Sequence, residues 1–99
     1  MRNFEVSVGY YEYNIFMDDE HLISIGDPNE DLYQITSKRG LQAYCRNTID
    51  AYVEEYEDKT GVSLNLTKRE YASLCKQLYD LYIQSCDFKE ARKLLKNVA

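Results

Sequence analysis

The stretch Phe4-Glu5-Val6-Ser7-Val8-Gly9-Tyr10-Tyr11-Glu12-Tyr13-Asn14-Ile15-Phe16-Met17 decides the fold. Phe4, Val6 and Val8 alternate with Glu5 and Ser7, the period of two that marks a half-buried strand. Past Gly9 the parity changes. Tyr11, Tyr13, Ile15 and Met17 become the apolar set, with Glu12 and Asn14 between them. A bulge at Gly9 would keep one long strand with a single face inward. A chain reversal at Gly9-Tyr10 would split the stretch in two, but the flanking residues are poor turn formers. The spacing favours the bulge.

The next residues extend this pattern into a sheet. Asp18-Asp19-Glu20-His21 is polar between apolar runs and reads as a hairpin loop. Leu22-Ile23-Ser24-Ile25 reads as a short second strand. Gly26-Asp27-Pro28-Asn29-Glu30-Asp31 is the strongest turn signal, because Pro presets φ and Asp and Asn tolerate tight local geometry. Leu32-Tyr33-Gln34-Ile35-Thr36 reads as a third strand. Short polar connections make the expected unit an antiparallel meander.

The period then becomes helical. Leu41, Cys45, Ile49, Tyr52 and Tyr56 form one stripe, widened by Tyr44 and Val53. Ser37 is placed to cap its start, and Gly61 to stop it. Val62, Leu64 and Leu66 alternate with Ser63 and Asn65, as an extended connector or a fourth strand on the sheet edge. Thr67-Lys68-Arg69-Glu70 is a capping box, in which Thr67 and Glu70 satisfy each other's amides. The helix it opens buries Tyr71, Leu74, Cys75, Leu78, Leu81 and Tyr82. Ser85-Cys86-Asp87 breaks it, and a last helix buries Phe88, Ala91, Leu94, Leu95 and Val98.

The expected fold is therefore α+β. A three-stranded antiparallel meander, or a four-stranded one, packs at the N-terminus against three helices. Residues 1–99 form one domain: a meander over 1–36, a long helix over 38–60 and a helical hairpin over 67–98. Within the hairpin, Tyr82, the Cys86-Asp87-Phe88 turn, Ala91 and Leu94-Leu95 resemble one helical hairpin of the tetratricopeptide type. The usual turn glycine is missing and there is no second copy. One such repeat cannot bury its own faces, so the resemblance implies a generic antiparallel helix pair.

Charge is sorted along the chain. Residues 1–37 carry eight carboxylates against Arg2 alone, a net of −7. Residues 38–66 are near neutral at −1, and residues 67–99 carry +3. Such a field steers encounters and selects partners without specifying a reaction. Ten tyrosines and no tryptophan supply contact area with polar tips. No apolar run approaches the roughly 18 residues of a membrane span. Met-Arg-Asn-Phe-Glu has no secretory apolar core, so the expected location is cytoplasmic.

The side chains hold little recognisable chemistry. Cys45, Cys75 and Cys86 are odd in number and far apart, and with His21 they lack the paired spacing of a structural zinc site. Asp18, Asp19, Glu20 and His21 are the densest set of acids and ligands, but adjacent residues of a hairpin tip do not converge on one point. No nucleophile elbow, phosphate loop or metalloprotease motif is present. The reading is a chain with no catalytic residues, no metal and no cofactor.

Two surfaces remain as candidates. Glu12, Asp18, Asp19, Glu20, Asp27, Glu30 and Asp31, with Tyr10, Tyr11 and Tyr13 among them, make an acidic, Tyr-rich face suited to a basic partner. Lys89, Arg92, Lys93 and Lys96 fall on one face of the last helix and would suit phosphates. A net of −5 argues against direct nucleic-acid binding. Small size, acidity and absent chemistry resemble phage or mobile-element anti-defence proteins, such as anti-CRISPR inhibitors that occupy a nuclease's nucleic-acid groove. The resemblance lies in composition and layout, and carries no residue roles with it. It implies a non-enzymatic inhibitor whose partner is a nucleic-acid-binding enzyme. The alternatives are a nucleic-acid-associated regulator using the basic last helix, or a small enzyme.

Overall fold

The computed structural model describes residues 2–9, 12–26, 35 and 37–84. They form three strands and two helices: β1 (Phe4–Val8), β2 (Glu12–Met17), β3 (Glu20–Gly26), α1 (Lys38–Thr60) and α2 (Lys68–Gln84). The strands make one antiparallel sheet in the order β1-β2-β3. The architecture is α+β, with two helices among the described residues where three were expected. The expected third, with Phe88 and Leu94-Leu95, lies outside the described residues. So does all of the tetratricopeptide-like stretch past Gln84.

Gly9 is the main correction. The expected long strand is two strands, and the chain reverses between Gly9 and Glu12. Val8 pairs with Tyr13, Val6 with Ile15 and Phe4 with Met17. The Gly9 amide donates to the Glu12 carbonyl at 2.6 Å. A Cβ at Gly9 would lie 2.7 Å from the Asn14 side-chain nitrogen and 3.0 Å from Glu12 Cγ. The parity change therefore records two strands facing each other, with glycine needed for their close approach.

The second reversal is tighter than expected. Met17 pairs with Glu20, so the turn is only Asp18-Asp19, and both residues sit in the left-handed region (φ 50° and 69°). That backbone is the one a two-residue hairpin needs, and Asp tolerates it better than most side chains. Asp18 also lengthens the ladder. Its amide donates to the Asn3 carbonyl, and its carboxylate accepts from the Asn3 amide, each at 2.9 Å. The expected strand over 22–25 is the centre of β3. A bulge does occur, but in β3: Ile15 faces Ile23 and Phe16 faces His21, leaving Leu22 as the extra residue. Of the expected third strand over 32–36, only Ile35 is described, and it is in no strand.

Both helices begin, and α1 ends, where their side chains dictate. Ser37 Oγ accepts from the Gly40 amide at 2.9 Å. Gly61, with φ 71°, closes α1 by donating to the Glu57 carbonyl at 2.9 Å. The capping box of α2 is formed: Thr67 Oγ1 accepts from the Glu70 amide at 3.1 Å, and Glu70 accepts from the Thr67 amide at 2.9 Å. Residues 61–67 are a connector, not a fourth strand.

The core lies between the helices and one face of the sheet. Phe4, Val6, Tyr13, Ile15, Ile23 and Ile25 meet Leu41, Cys45 and Ile49 of α1 and Leu74, Leu78 and Tyr82 of α2. Tyr82 closes it, edge to face with Tyr13 at 5.1 Å. Two long-range devices fix the sheet on α2. Gln77 donates to the Phe4 carbonyl and accepts from the Val6 amide, each at 2.9 Å. Its amide stands in for a neighbouring strand and blunts the open edge of β1. Arg2 forks onto Glu70 at 2.8 and 3.1 Å and donates to the Leu64 carbonyl at 2.6 Å.

Candidate functional site

With the helices on one side, the other side of the sheet faces solvent. Register sets which side chains share it. Glu5, Phe16 and His21 stand in one row, and Ser7, Asn14 and Ser24 in the next. Glu12 stands at one end and the Asp18-Asp19 turn at the other, with Glu20, paired with Met17, on the helix side of the tip. Glu5, Glu12, Asp18, Asp19 and Glu20 are all exposed. The chain has no Lys or Arg between Arg2 and Lys38, and Arg2 is already engaged by Glu70. The outer face and its turn thus carry four carboxylates and no Lys or Arg.

The middle of this face is held rigid by its own contacts. His21 Nε2 lies 2.9 Å from Ser24 Oγ and 3.2 Å from Asn14 Oδ1. Ser24 Oγ donates to Asn14 Oδ1 at 3.0 Å. The serine proton goes to the amide oxygen, so the consistent arrangement has Nε2–H donating to the serine oxygen. That direction is opposite to the one a histidine base would need to activate the hydroxyl. The His21 ring also meets Phe16 edge to face at 5.7 Å. The set is a polar contact patch with a half-buried aromatic beside it.

The predicted residues divide three ways. Glu12 is on the solvent side of the sheet, Asp18 and Asp19 form the exposed turn at its end, and Glu20, paired with Met17, is exposed at the same tip but on the helix side. Tyr13 is not: it lies on the opposite face, 6% exposed and packed on Tyr82, so it belongs to the core and not to the acidic surface. Tyr10, Tyr11, Asp27, Glu30 and Asp31 lie outside the described residues. Lys89, Arg92, Lys93 and Lys96 of the alternative basic face lie outside them too. Phe16, Asn14, His21 and Ser24 were missed as a group, because only the register of three strands brings them together. Glu5 shares the face, as its strand parity implies.

A groove between the helices is one concave feature among the described residues. Tyr71 divides it, donating to the Arg46 carbonyl at 3.3 Å. One part, about 630 Å³, is lined by Lys38, Gln42, Arg46, Cys75, Lys76 and Tyr79. The other, about 290 Å³, is lined by Asp50, Glu54 and Glu57 with Ser63 and Asn65. Burial pushes the Cys45 thiol up to about 12 and raises Cys75 as well, so both stay protonated and poorly nucleophilic. Burial, then the neighbouring Asp50 carboxylate, raises Tyr71. The Arg2 guanidinium, followed by the Thr67 amide, holds the Glu70 carboxyl below the usual range.

Among the described residues no group of three or more His, Cys, Asp and Glu side chains is placed to hold a metal ion. His21 and Cys45 lie on opposite sides of the sheet. No described helix is long and apolar enough to cross a membrane. No protein family, curated protein or solved structure matches this chain.

Proposed function

We propose that this chain is a non-enzymatic protein-binding module that presents the outer face of its sheet to a basic surface of another protein. The observation that carries this reading is the outer face itself. Four exposed carboxylates, Glu5, Glu12, Asp18 and Asp19, unopposed by any Lys or Arg on the strands, flank a patch of Phe16, Asn14, His21 and Ser24, and Glu20 stands at the same tip. Spaced carboxylates on a stiff sheet offer a cationic groove what a phosphate backbone offers it. A nucleic-acid-binding enzyme is the partner class that such a surface suits, and occupation of its groove is the mode of inhibition. This is the mode implied by the resemblance to anti-defence proteins.

Charge of this kind acts mainly on encounter, so the test is kinetic. Partners are captured from cells that encode the chain, at low and high salt. Association rates are then measured against ionic strength for the wild type and for Asp18→Asn, Asp19→Asn, Glu20→Gln combined. Asn keeps the left-handed turn, so folding is undisturbed. Slower association and a flatter salt dependence are expected. Identical rates and slopes would show that the acidity serves only solubility.

A further inference from the structure

The two edges of the sheet differ. Gln77 meets the Phe4 carbonyl and the Val6 amide from outside, which blunts the β1 edge. It also fixes which residues bond inward. Bonded and non-bonded pairs alternate along an antiparallel ladder, so β1 bonds β2 through Glu5 and Ser7, onto Phe16 and Asn14. Tyr13 and Ile15 then turn their backbone groups to β3, onto Ile25 and Ile23. Ser24, between these two, directs its N–H and C=O out of the sheet. Among the described residues no group meets either of them. The ends of this stretch are guarded, by the bulge at Leu22 and by the Gly26 amide, which donates to the Tyr52 hydroxyl of α1 at 3.4 Å.

A slot runs beside this open backbone. A cavity of about 230 Å³ is lined by Leu22, Ile23 and Ser24 of β3 and by Tyr52 and Tyr56 of α1. Neighbouring strand residues point to opposite faces, so a cavity that touches both Ile23 and Ser24 lies at the edge itself. Leu22, Tyr52 and Tyr56 are half-buried, which leaves apolar surface for a side chain laid between strand and helix. Lys59, which also lines the slot, is already held on Glu55 at 2.7 Å. On its other side the same edge borders the face of Glu5, Glu12, Asp18 and Asp19, which holds no Lys or Arg.

We propose that an extended segment of another protein adds to β3 as a further strand, in the channel between β3 and α1. Its backbone bonds the Ser24 N–H and C=O. Alternate side chains of the segment are aliphatic and enter the slot against Leu22, Tyr52 and Tyr56. Those between them are basic and lie over the outer face. Strand addition takes its affinity from the main chain and its specificity from such pockets. The bulge and Tyr52 confine the open edge to a few residues, so the segment is short and its binding weak. The edge bonds and the slot stand by themselves, whereas the basic residues of the segment rest on the reading of the outer face as a binding surface.

The probe is a synthetic peptide, acetyl-Lys-Val-Lys-Val-Lys-Val-Lys-amide, titrated into the isotope-labelled chain and followed by NMR. Amide shifts in β3 and at Tyr52 and Tyr56 are expected. With peptide at about ten times its Kd, hydrogen exchange at the Ser24 amide slows about tenfold, as mass action requires. A copy with Glu for every Lys binds at least about tenfold more weakly. Proline is tolerated on an edge where the N–H faces solvent, so Ser24→Pro folds but loses the donor and binds at least about tenfold more weakly. Ser24→Ala keeps the donor and stays within about twofold of the wild type. A peptide that causes no shifts at millimolar concentration overturns the proposal. Shifts confined to the outer face, with Ser24 exchange unchanged, overturn the added strand and leave the outer-face reading standing. Equal binding by the glutamate copy overturns the basic chemistry of the segment. Exchange at Ser24 in the wild type decides the matter even where Ser24→Pro fails to fold.

Discussion

The two faces of one sheet differ as sharply as two proteins would. Phe4, Val6, Tyr13, Ile15, Ile23 and Ile25 make the inner face, each no more than 7% exposed. No polar or charged residue is buried with them among the described residues. The outer face, one residue away along the same strands, is acid, amide, hydroxyl and imidazole. Stability and the proposed recognition therefore rest on different side chains. Side chains that hold it together point one way, and side chains available to a partner point the other. Even the edge of the sheet obeys the division. Gln77 meets the free backbone groups of β1 from the helix side and leaves the outer face untouched.

The largest test of this division is a cavity on the inner face. Ile15→Ala, at a site 1% exposed, should cost about 2–5 kcal/mol. That lowers the melting temperature by roughly 4–8 °C for each kcal/mol, measured by circular dichroism. A change below about 1 kcal/mol would mean that the inner face packs loosely.

A pH effect of intermediate size comes from Cys45. Burial raises its folded pKa to about 12 from 9.0, so the folded state favours the thiol over the thiolate. The stability this represents is complete below pH 9 and is lost as pH rises through the window to about 12. Over that window Cys45→Ala should lose stability less steeply than the wild type. Parallel curves would place the thiol in water.

The smallest effect on stability belongs to the turn. Asp18→Asn, Asp19→Asn and Glu20→Gln together should shift unfolding free energy by no more than about 0.5 kcal/mol each way. Chemical denaturation measures it. A loss beyond about 1.5 kcal/mol would tie the acidic tip to folding, and the two faces would no longer be independent.

The helices were legible because their signals are local. Ser37, Gly61 and the Thr67–Glu70 box act within one turn of chain, and each does in the structure what its chemistry implies. The first strands were half legible. The change of parity at Gly9 was visible, but a bulge and a reversal leave the same alternation, and Tyr10-Tyr11 gives no turn signal. The acidic turn was found but drawn two residues too long, since Glu20 and His21 are in β3, and Tyr13 was counted on the wrong face of the sheet.

Composition and periodicity by themselves determined the class of this protein: an acidic α+β chain, its long capped helices, and an N-terminal region poor in bases. Those properties depend on neighbours a few residues apart, where propensity and capping act. Tertiary structure decided the rest. It made Gly9 a reversal, sent Tyr13 into the core and gathered Asn14, Phe16, His21 and Ser24 on one surface. It also clamped Arg2 on Glu70 and Gln77 on β1, across 68 and more than 70 residues of chain. Such contacts follow from strand register and helix docking, which the whole core selects together and no local pattern encodes.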